Sequence, residues 1–124
     1  MNNVVLGIDI GGSHITAALV NLDTRNVVED SWRRTRVNSM GTAQEIIHEW
    51  CVVITEIFDA YQPAQKKLAL AMPGPFDYQA GISLMQNQQK YDALYGLNVK
   101  ELLAAACGVP VTNIHLINDA ACFL

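Results

Sequence analysis

The residues whose types and spacing are best suited to chemistry lie at positions 7–14, where the sequence reads Gly-Ile-Asp-Ile-Gly-Gly-Ser-His. An apolar run leads into Asp9, and a double glycine follows. Glycines accept positive φ and let the backbone approach a ligand closely, so that several N–H groups can face bound phosphate oxygens. Ser13 adds a hydroxyl donor, and Asp9 is placed to hold a magnesium ion or its water. The segment indicates a phosphate hairpin, with an ordinary turn, in which Asp9 only accepts backbone hydrogen bonds, as an equal alternative.

A second candidate lies near the other end of the chain, where Asn118 and Asp119 follow a predicted strand over residues 114–117. Ligand sites in open α/β sheets lie beyond the carboxyl ends of strands. A carboxylate at that position, beside an amide and apolar neighbours, can orient a hydroxyl group and accept its proton. The alternative, slightly favoured by the local sequence, is that Asn118 or Asp119 caps a following helix.

The strands that must position these residues follow from hydrophobic periodicity. Val4–Ile10 and residues 15–20 are apolar and β-rich, so we predict a hairpin whose first strand is buried on both faces. Residues 27–37 predict a third strand, whose charge density favours a sheet edge. Leu68–Met72 is a short apolar strand that ends at a Pro-Gly-Pro turn, where Gly74 leaves backbone exposed to a cleft.

Two helices are predicted from capping signals. Thr42 and Glu45 have the spacing of a capping box, and the helix that they begin ends before Pro63. A second helix is capped by Asn98 and ends at Gly108. We expect three side chains of this second helix to face inward, namely Leu102, Leu103 and Ala106.

Composition bounds the class of protein. With 124 residues, 51% hydrophobic content and 16% charged content, the chain can bury one sizeable core, and we predict one domain. The net charge of −4 argues against a broad nucleic-acid footprint. The apolar start is interrupted by Asp9 and is too short to span a bilayer, so we predict a cytoplasmic protein without a membrane partner.

The cysteines do not indicate a metal site. Cys51, Cys107 and Cys122 are widely spaced in apolar contexts, which predicts reduced core thiols. The histidines show no ligand spacing with them.

Three motifs occur in a characteristic order along the chain. They are Asp-Ile-Gly-Gly at 9–12, Pro-Gly-Pro at 73–75 with Asp77 and Gly81, and Asn-Asp-Ala at 118–120. Together they resemble the N-terminal domain of the ROK sugar kinases, which belong to the superfamily of sugar kinases, heat-shock ATPases and actin, and the resemblance covers nearly the whole chain. It implies an α/β, ribonuclease-H-like (actin-like ATPase) fold with a mixed five-stranded sheet and flanking helices.

The resemblance also implies a glucokinase-like activity, the phosphorylation of a hexose or N-acetylhexosamine, with ATP and Mg²⁺ as cofactors. Asp9 looks like the acidic residue near magnesium, and Asp119 looks like the catalytic base. Asn118 resembles the asparagine that hydrogen-bonds sugar hydroxyls, and Gly74 and Asn87 match sugar-facing positions. The residues that resemble the family's first phosphate loop are Gly11, Gly12, Ser13 and His14.

Some positions depart from the family. His14 stands where lysine is common, so the loop carries less positive charge. The tryptophan often found in the sugar loop is missing, and we expect Tyr91 or Tyr95 to cover that surface. The family's second lobe has no counterpart in residues 1–124. We therefore expect this chain to be one lobe of a two-lobe kinase and to be inactive alone. We also expect the parent protein to be a homo-oligomer, such as a dimer.

Two other functions remain open at this stage. A sugar-sensing ROK transcriptional regulator would share this lobe but needs a helix-turn-helix before it, and residues 1–3 are all that precede the first strand. A noncatalytic actin-like binding module would keep the hairpin without a base. Asp119 favours the kinase over the binding module, with a small sugar as the expected partner and no nucleic acid.

Overall fold

The computed structural model describes residues 3–118, and Asp119 and the residues after it lie outside that range. The described part of the chain forms two α-helices and eight short or medium strands. In chain order these elements are β1 (Val4–Ile10), β2 (His14–Asn21), β3 (Asn26–Val27), β4 (Arg33–Arg36), α1 (Ala43–Tyr61), β5 (Leu68–Met72), β6 (Phe76–Asp77), β7 (Ile82–Ser83), α2 (Val99–Cys107) and β8 (Ile114–Asn118).

Six of the strands within residues 3–118 form one mixed sheet. Its order is β3-β2-β1-β5-β8, and β4 also pairs with β2. β1 and β2 are antiparallel, whereas β5 runs parallel to β1 and β8 runs parallel to β5. Because β1 occupies one edge of β2, both β3 and β4 lie along the other edge, and the sheet has five strand positions. The predicted α/β fold with a mixed sheet is confirmed.

The third strand predicted over residues 27–37 is interrupted. Asp30 has a φ of 63°, and Ser31 is fully buried beside β2. The Ser31 hydroxyl accepts a hydrogen bond from the Leu19 backbone N–H (3.0 Å) and donates one to the Val28 carbonyl (2.7 Å). A side chain therefore takes a backbone partner that a continuous strand would have used, and the segment divides into β3 and β4.

The hydrophobic core lies between one face of the sheet and the two helices. Trp50 and Ile54 of α1 and Leu103 of α2 are fully buried in it. Asp9 is exposed, so the prediction that β1 is buried on both faces is wrong; successive strand side chains point to opposite faces, and one face of β1 is fully buried. The β1 residues in the core are Val4, Leu6, Ile8 and Ile10.

The start and end of α1 are those that the sequence predicted. The Thr42 hydroxyl accepts a hydrogen bond from the Glu45 N–H (3.2 Å), and the Glu45 carboxylate accepts one from the Thr42 N–H (3.1 Å). The hydrogen bond from the Thr42 backbone N–H, together with one from the Thr42 side chain, stabilises the charged carboxylate and lowers the pKa of Glu45. Gln62, in the left-handed conformation, ends the helix immediately before Pro63.

The second helix is capped as predicted but buries a narrower face. The Asn98 side chain accepts a hydrogen bond from the Glu101 N–H (3.0 Å), and Gly108 ends α2 with a φ of 66°. Leu103 is buried, whereas Leu102 and Ala106 are exposed. The inward orientation predicted for those two side chains is wrong, because α2 buries Val99 and Leu103 and packs Ala104 and Cys107 partly against the core.

A tight turn at Gly81 holds the small β6–β7 sheet against α2. Asp77 begins the turn, with its carbonyl accepting from the Gly81 N–H at 2.8 Å. The Gly81 carbonyl in turn accepts from the Val99 N–H at 2.7 Å. Gly81 has a φ of 85°, and a Cβ at this position would lie 2.5 Å from Lys100 Cβ. Both the conformation and the space at this position therefore require glycine.

Substitution of Gly81 tests this requirement against a matched control. Gly96 also has a positive φ, 76°, but a Cβ there would meet nothing within 4 Å. Gly96→Ala should lower the free energy of unfolding by about 1 kcal/mol, the approximate cost of a left-handed alanine. Gly81→Ala should cost about 1–3 kcal/mol more because the added methyl group must displace α2. Urea denaturation of both variants measures the difference, and equal losses would show that the Lys100 contact is relieved without cost.

Candidate functional site

The turn between β1 and β2 exposes backbone rather than side chains. Gly12 and Ser13 are exposed, and the Gly11 N–H donates to the His14 carbonyl at 2.9 Å. Neither glycine has a left-handed φ, so the positive φ expected here is not used. A Cβ on Gly11 would lie 3.2 Å from the His14 carbonyl oxygen, so glycine is favoured by close approach of the two strands. The backbone at Gly12 remains open to a ligand.

This hairpin turn is held from two sides. The Ser13 carbonyl accepts a hydrogen bond from the Val37 N–H (2.9 Å), which follows β4. On the opposite flank, the Tyr91 hydroxyl donates to the Gly11 carbonyl at 2.5 Å. Both contacts use carbonyl oxygens, so they fix the turn without occupying the N–H groups of Gly12 and Ser13.

Tyr91 is the buried anchor of the hairpin. Its side chain is fully buried, and its ring packs edge-on against Trp50 at a centroid distance of 5.6 Å. Its backbone N–H donates to the Ser39 carbonyl at 2.7 Å. Burial raises the pKa of Tyr91 to about 12, so the phenol remains a hydrogen-bond donor at neutral pH. Tyr91 therefore does not cover an open sugar surface, whereas Tyr95 is about half exposed.

The polar side chains of the hairpin lie at the carboxyl end of β1. Asp9 is exposed and pairs in register with Thr16 on β2 and Ala71 on β5. His14 Nδ1 lies 2.9 Å from the Ser13 hydroxyl, so these two side chains contact each other. Within residues 3–118 no three His, Cys, Asp or Glu side chains form a metal-binding group. A single exposed carboxylate beside open N–H groups fits magnesium that keeps most of its waters.

A second polar cluster lies where β5 and β8 end. Met72 and Asn118 are partners in the parallel register. The Asn118 amide donates to the Tyr78 hydroxyl at 3.0 Å, and that hydroxyl donates to the Met72 carbonyl at 2.9 Å. A Cβ on Gly74 would lie 3.1 Å from the Tyr78 hydroxyl and 3.6 Å from the Asn118 amide nitrogen. Gly74 and Asn118, predicted separately, are therefore brought together by Tyr78, a residue that the sequence reasoning missed.

The register of the sheet brings the two polar clusters to one edge. Asp9 on β1 is opposite Ala71 on β5, and Ala71 is opposite Ile117 on β8. These three strands are parallel, so their carboxyl ends point the same way. The hairpin turn and the Gly74–Asn118 cluster consequently both lie at the carboxyl ends of these parallel strands, where ligands bind in open α/β folds.

Asn87 and Asp119 are the remaining residues of the predicted site. Asn87 is exposed with a φ of 59°. It lies four residues before Tyr91, on the segment that Tyr91 fixes to the hairpin turn. Asp119 follows Asn118 directly and lies outside the described residues, so its predicted role as the base stays a prediction.

Comparison with known proteins identifies the family. The model of the ROK family matches residues 5–123. This chain belongs to the ROK family. No curated protein matches it. The resemblance predicted from the sequence is confirmed over nearly all of these 124 residues.

Solved structures share the fold at low sequence identity. The polyphosphate/ATP-glucomannokinase of Arthrobacter sp. strain KM has a TM-score of 0.78 and 22% identity, covering 96% of this chain and 45% of that one. A ROK glucokinase from Streptomyces griseus, solved with glucose and AMPPNP, has a TM-score of 0.71 and 19% identity, with coverage of 95% and 34%. A ROK transcriptional regulator homologous to the E. coli MLC protein has a TM-score of 0.67 and 21% identity, with coverage of 94% and 28%. The ROK chain described here spans less than half the length of each.

An apolar groove of about 880 Å³ lies between α1 and α2, lined by residues that include Ile47, Leu97, Leu102 and Ala106.

Cys51 and Cys107 are free thiols. They are half-buried, whereas the sequence predicted that they lie in the core, and burial raises the pKa of Cys107. Cys122 lies outside the described residues. None of the helices within residues 3–118 has the length and hydropathy needed to cross a membrane.

The buried Tyr91 phenol predicts a specific dependence of stability on pH. Its pKa rises from 10.0 to about 12 on folding, so its stabilisation is complete below pH 10 and is lost as the pH rises toward 12. Tyr91→Phe should be less stable at neutral pH by about 1 kcal/mol, the usual value of one hydrogen bond. It should lack the loss between pH 10 and 12, so that the two stability curves converge.

Chemical denaturation of both proteins across this pH range measures the effect. Tyr95→Phe is the control because Tyr95 is about half exposed, and its curve should run parallel to the wild type. Parallel curves for Tyr91→Phe as well would contradict the assignment of a buried, protonated phenol.

Proposed function

We propose that the protein carrying this chain transfers the γ-phosphoryl group of ATP to a hexose or N-acetylhexosamine, with residues 1–124 as the N-terminal lobe of a two-lobe ROK-type kinase. The observation that carries the proposal is the common edge of β1, β5 and β8. An open glycine turn borders it at β1, and a polar amide cluster borders it at β8. Phosphoryl transfer depends mainly on alignment and charge neutralisation, so two binding elements at one edge suit it.

On this proposal the hairpin turn holds the nucleotide. Gly12 and Ser13 are exposed residues whose N–H groups make no backbone hydrogen bond within residues 3–118. These groups would donate to phosphate oxygens, while Gly11 keeps the strands close. His14 and the Ser13 hydroxyl add polar groups at the same turn. Magnesium, when bound with the nucleotide, supplies charge neutralisation, and Asp9 would hold it through water.

The sugar is proposed to bind at the ends of β5 and β8. The Asn118 amide would contact sugar hydroxyls, and Gly74 leaves the space that a side chain would take from them. Asn87 is proposed to approach the sugar from the segment before Tyr91. In the reaction, the sugar hydroxyl oxygen forms a bond to the γ-phosphorus and the bond to the bridging oxygen of ADP breaks. Asp119 accepts the hydroxyl proton.

The remaining contacts are proposed to come from a second lobe. The chain spans 45% of the glucomannokinase with which it shares its fold. A single open lobe does not hold sugar and phosphate together or exclude water, so residues 1–124 alone would not catalyse the reaction. We also propose that the whole protein is cytoplasmic and forms a homo-oligomer, such as a dimer.

A sugar-sensing regulator is the second candidate, because a ROK transcriptional regulator shares the fold with a TM-score of 0.67. The fold alone does not separate the two functions. The presence of Asp119 in an Asn-Asp-Ala sequence favours the kinase, since a sensor has no need of a proton acceptor. Sugar binding without sugar-dependent ADP release would favour the regulator.

Replacement of Asp119 tests the proposed reaction. Asp119→Ala and Asp119→Asn in the protein that carries this chain should lower kcat by about 10²–10⁴-fold, the usual contribution of general-base catalysis. A coupled ADP-release assay with a panel of hexoses measures the change. Asp59→Asn, which removes an exposed carboxylate on α1, is the control and should leave kcat unchanged. Turnover of both Asp119 variants within about threefold of wild type would remove Asp119 from the role of base.

Replacement of Gly74 tests the proposed sugar contact. In Gly74→Ala the new methyl group would lie 3.1 Å from the Tyr78 hydroxyl, so it should displace the hydroxyl that holds Asn118. We expect KM for the sugar to rise about tenfold, the equivalent of 1.4 kcal/mol, with KM for ATP unchanged. Tyr78→Phe, which removes the hydroxyl and leaves Gly74 unchanged, should also raise KM for the sugar. An equal rise in both KM values would place the defect in the overall fold of the lobe.

A further inference from the structure

We propose that Lys90 is a phosphate-binding residue of the hairpin site, where its ammonium group contacts the phosphate chain of the nucleotide. This inference rests on the proposed function, since it names an additional residue for the same nucleotide site. It also gives a nucleotide contact to a residue three positions after Asn87, which the sequence connected only with the sugar.

The position of the Lys90 stem carries the proposal. A Cβ built on Gly12 would meet Lys90 Cδ at 3.7 Å and, its two chain neighbours aside, no other atom of residues 3–118 within 4 Å. The stem of the lysine therefore lies along the most open glycine of the turn. Nζ is two bonds beyond Cδ, so the ammonium group is within reach of a ligand bound at the turn. Lysine has an apolar stem and a charged tip, and this arrangement lets the stem pack while the tip faces a ligand.

The neighbours of Lys90 hold it in this position. Tyr91, the next residue, donates its hydroxyl to the Gly11 carbonyl and its N–H to the Ser39 carbonyl. On the preceding side, the Asp92 carboxylate accepts hydrogen bonds from the N–H groups of Gln88 (3.1 Å) and Gln89 (3.4 Å). The backbone on both sides of Lys90 is therefore held in place, so that less backbone entropy is lost when the side chain contacts a ligand.

The charge of Lys90 has no protein partner in the described part of the chain. The single ion pair found within residues 3–118 joins Arg33 and Glu56. Lys90 is half-buried, and a half-buried ammonium beside open N–H groups makes this end of the sheet attractive to an anion. His14, the other basic side chain of the turn, contacts Ser13. Lys90 thus supplies, from a different segment, the positive charge that a lysine at position 14 would have supplied.

The test measures nucleotide binding rather than turnover. In the protein that carries this chain, calorimetry would give the affinities for AMPPNP, adenosine and glucose. Lys90→Gln keeps most of the stem and removes the charge, Lys90→Arg keeps the charge, and Lys100→Gln removes a similar half-buried lysine from α2. The salt dependence of AMPPNP binding is recorded for each variant, because a charge contact is screened by salt.

We expect Lys90→Gln to weaken AMPPNP binding about 10-fold or more, since a hydrogen bond to a charged group is stronger than a neutral one. Its salt dependence should become shallower, and its affinity for adenosine and glucose should not change. Lys90→Arg and Lys100→Gln should bind AMPPNP as the wild type does.

Three results would overturn the inference, and they differ in what else they overturn. If the wild-type protein binds AMPPNP and the affinity of Lys90→Gln for AMPPNP is within about twofold of the wild-type affinity, the role of Lys90 alone is overturned. Absence of AMPPNP binding to the wild-type protein would overturn the proposed kinase function together with this inference. Equal weakening of AMPPNP and adenosine would reassign Lys90 to packing of the turn.

Discussion

The parallel register of β1, β5 and β8 determines where the site residues at the ends of these strands lie. Asp9, Ala71 and Ile117 are successive partners across these strands. Because the strands run in the same direction, the residues that follow them emerge at one edge of the sheet. The hairpin turn at residues 11–13 and the cluster of Gly74, Tyr78 and Asn118 are therefore neighbours, although more than 60 positions of sequence separate the first motif from the second.

A second constraint links the segment before Tyr91 to the hairpin turn. Tyr91 reaches across 80 positions of sequence to the Gly11 carbonyl, and its burial against Trp50 makes this contact part of the hydrophobic core. A buried phenol that must remain protonated fixes the turn more firmly than an exposed side chain would, because breaking the bond would also leave a polar group unsatisfied. The carbonyl groups of Gly11 and Ser13 are consequently held by hydrogen bonds, whereas the N–H groups of Gly12 and Ser13 remain available to a ligand.

The sequence predicted features that depend on local chemistry. The capping box of Thr42 and Glu45, the caps of α2 and the strand at Leu68–Met72 all follow from short patterns, and the structure has them. Gly74 and Asn118 were expected at strand ends, and the register brings them together. The roles of Tyr91 and Tyr78 were not predictable because each depends on a partner far away in sequence. The break at Ser31 likewise depends on a side chain finding a backbone partner on another strand.

The faces of the elements were also harder to predict than their bounds. Leu102 is apolar and suits an inward position, yet the short α2 turns it into the groove beside α1. Tertiary packing decided this outcome, and helical periodicity alone did not. The most direct test of the central claim is a crystal structure of the protein that carries this chain, with AMPPNP, Mg²⁺ and glucose bound. The account predicts phosphate oxygens within hydrogen-bond distance of the Gly12 and Ser13 N–H groups and a sugar hydroxyl on the Asn118 side chain; nucleotide bound away from this edge of the sheet would contradict it.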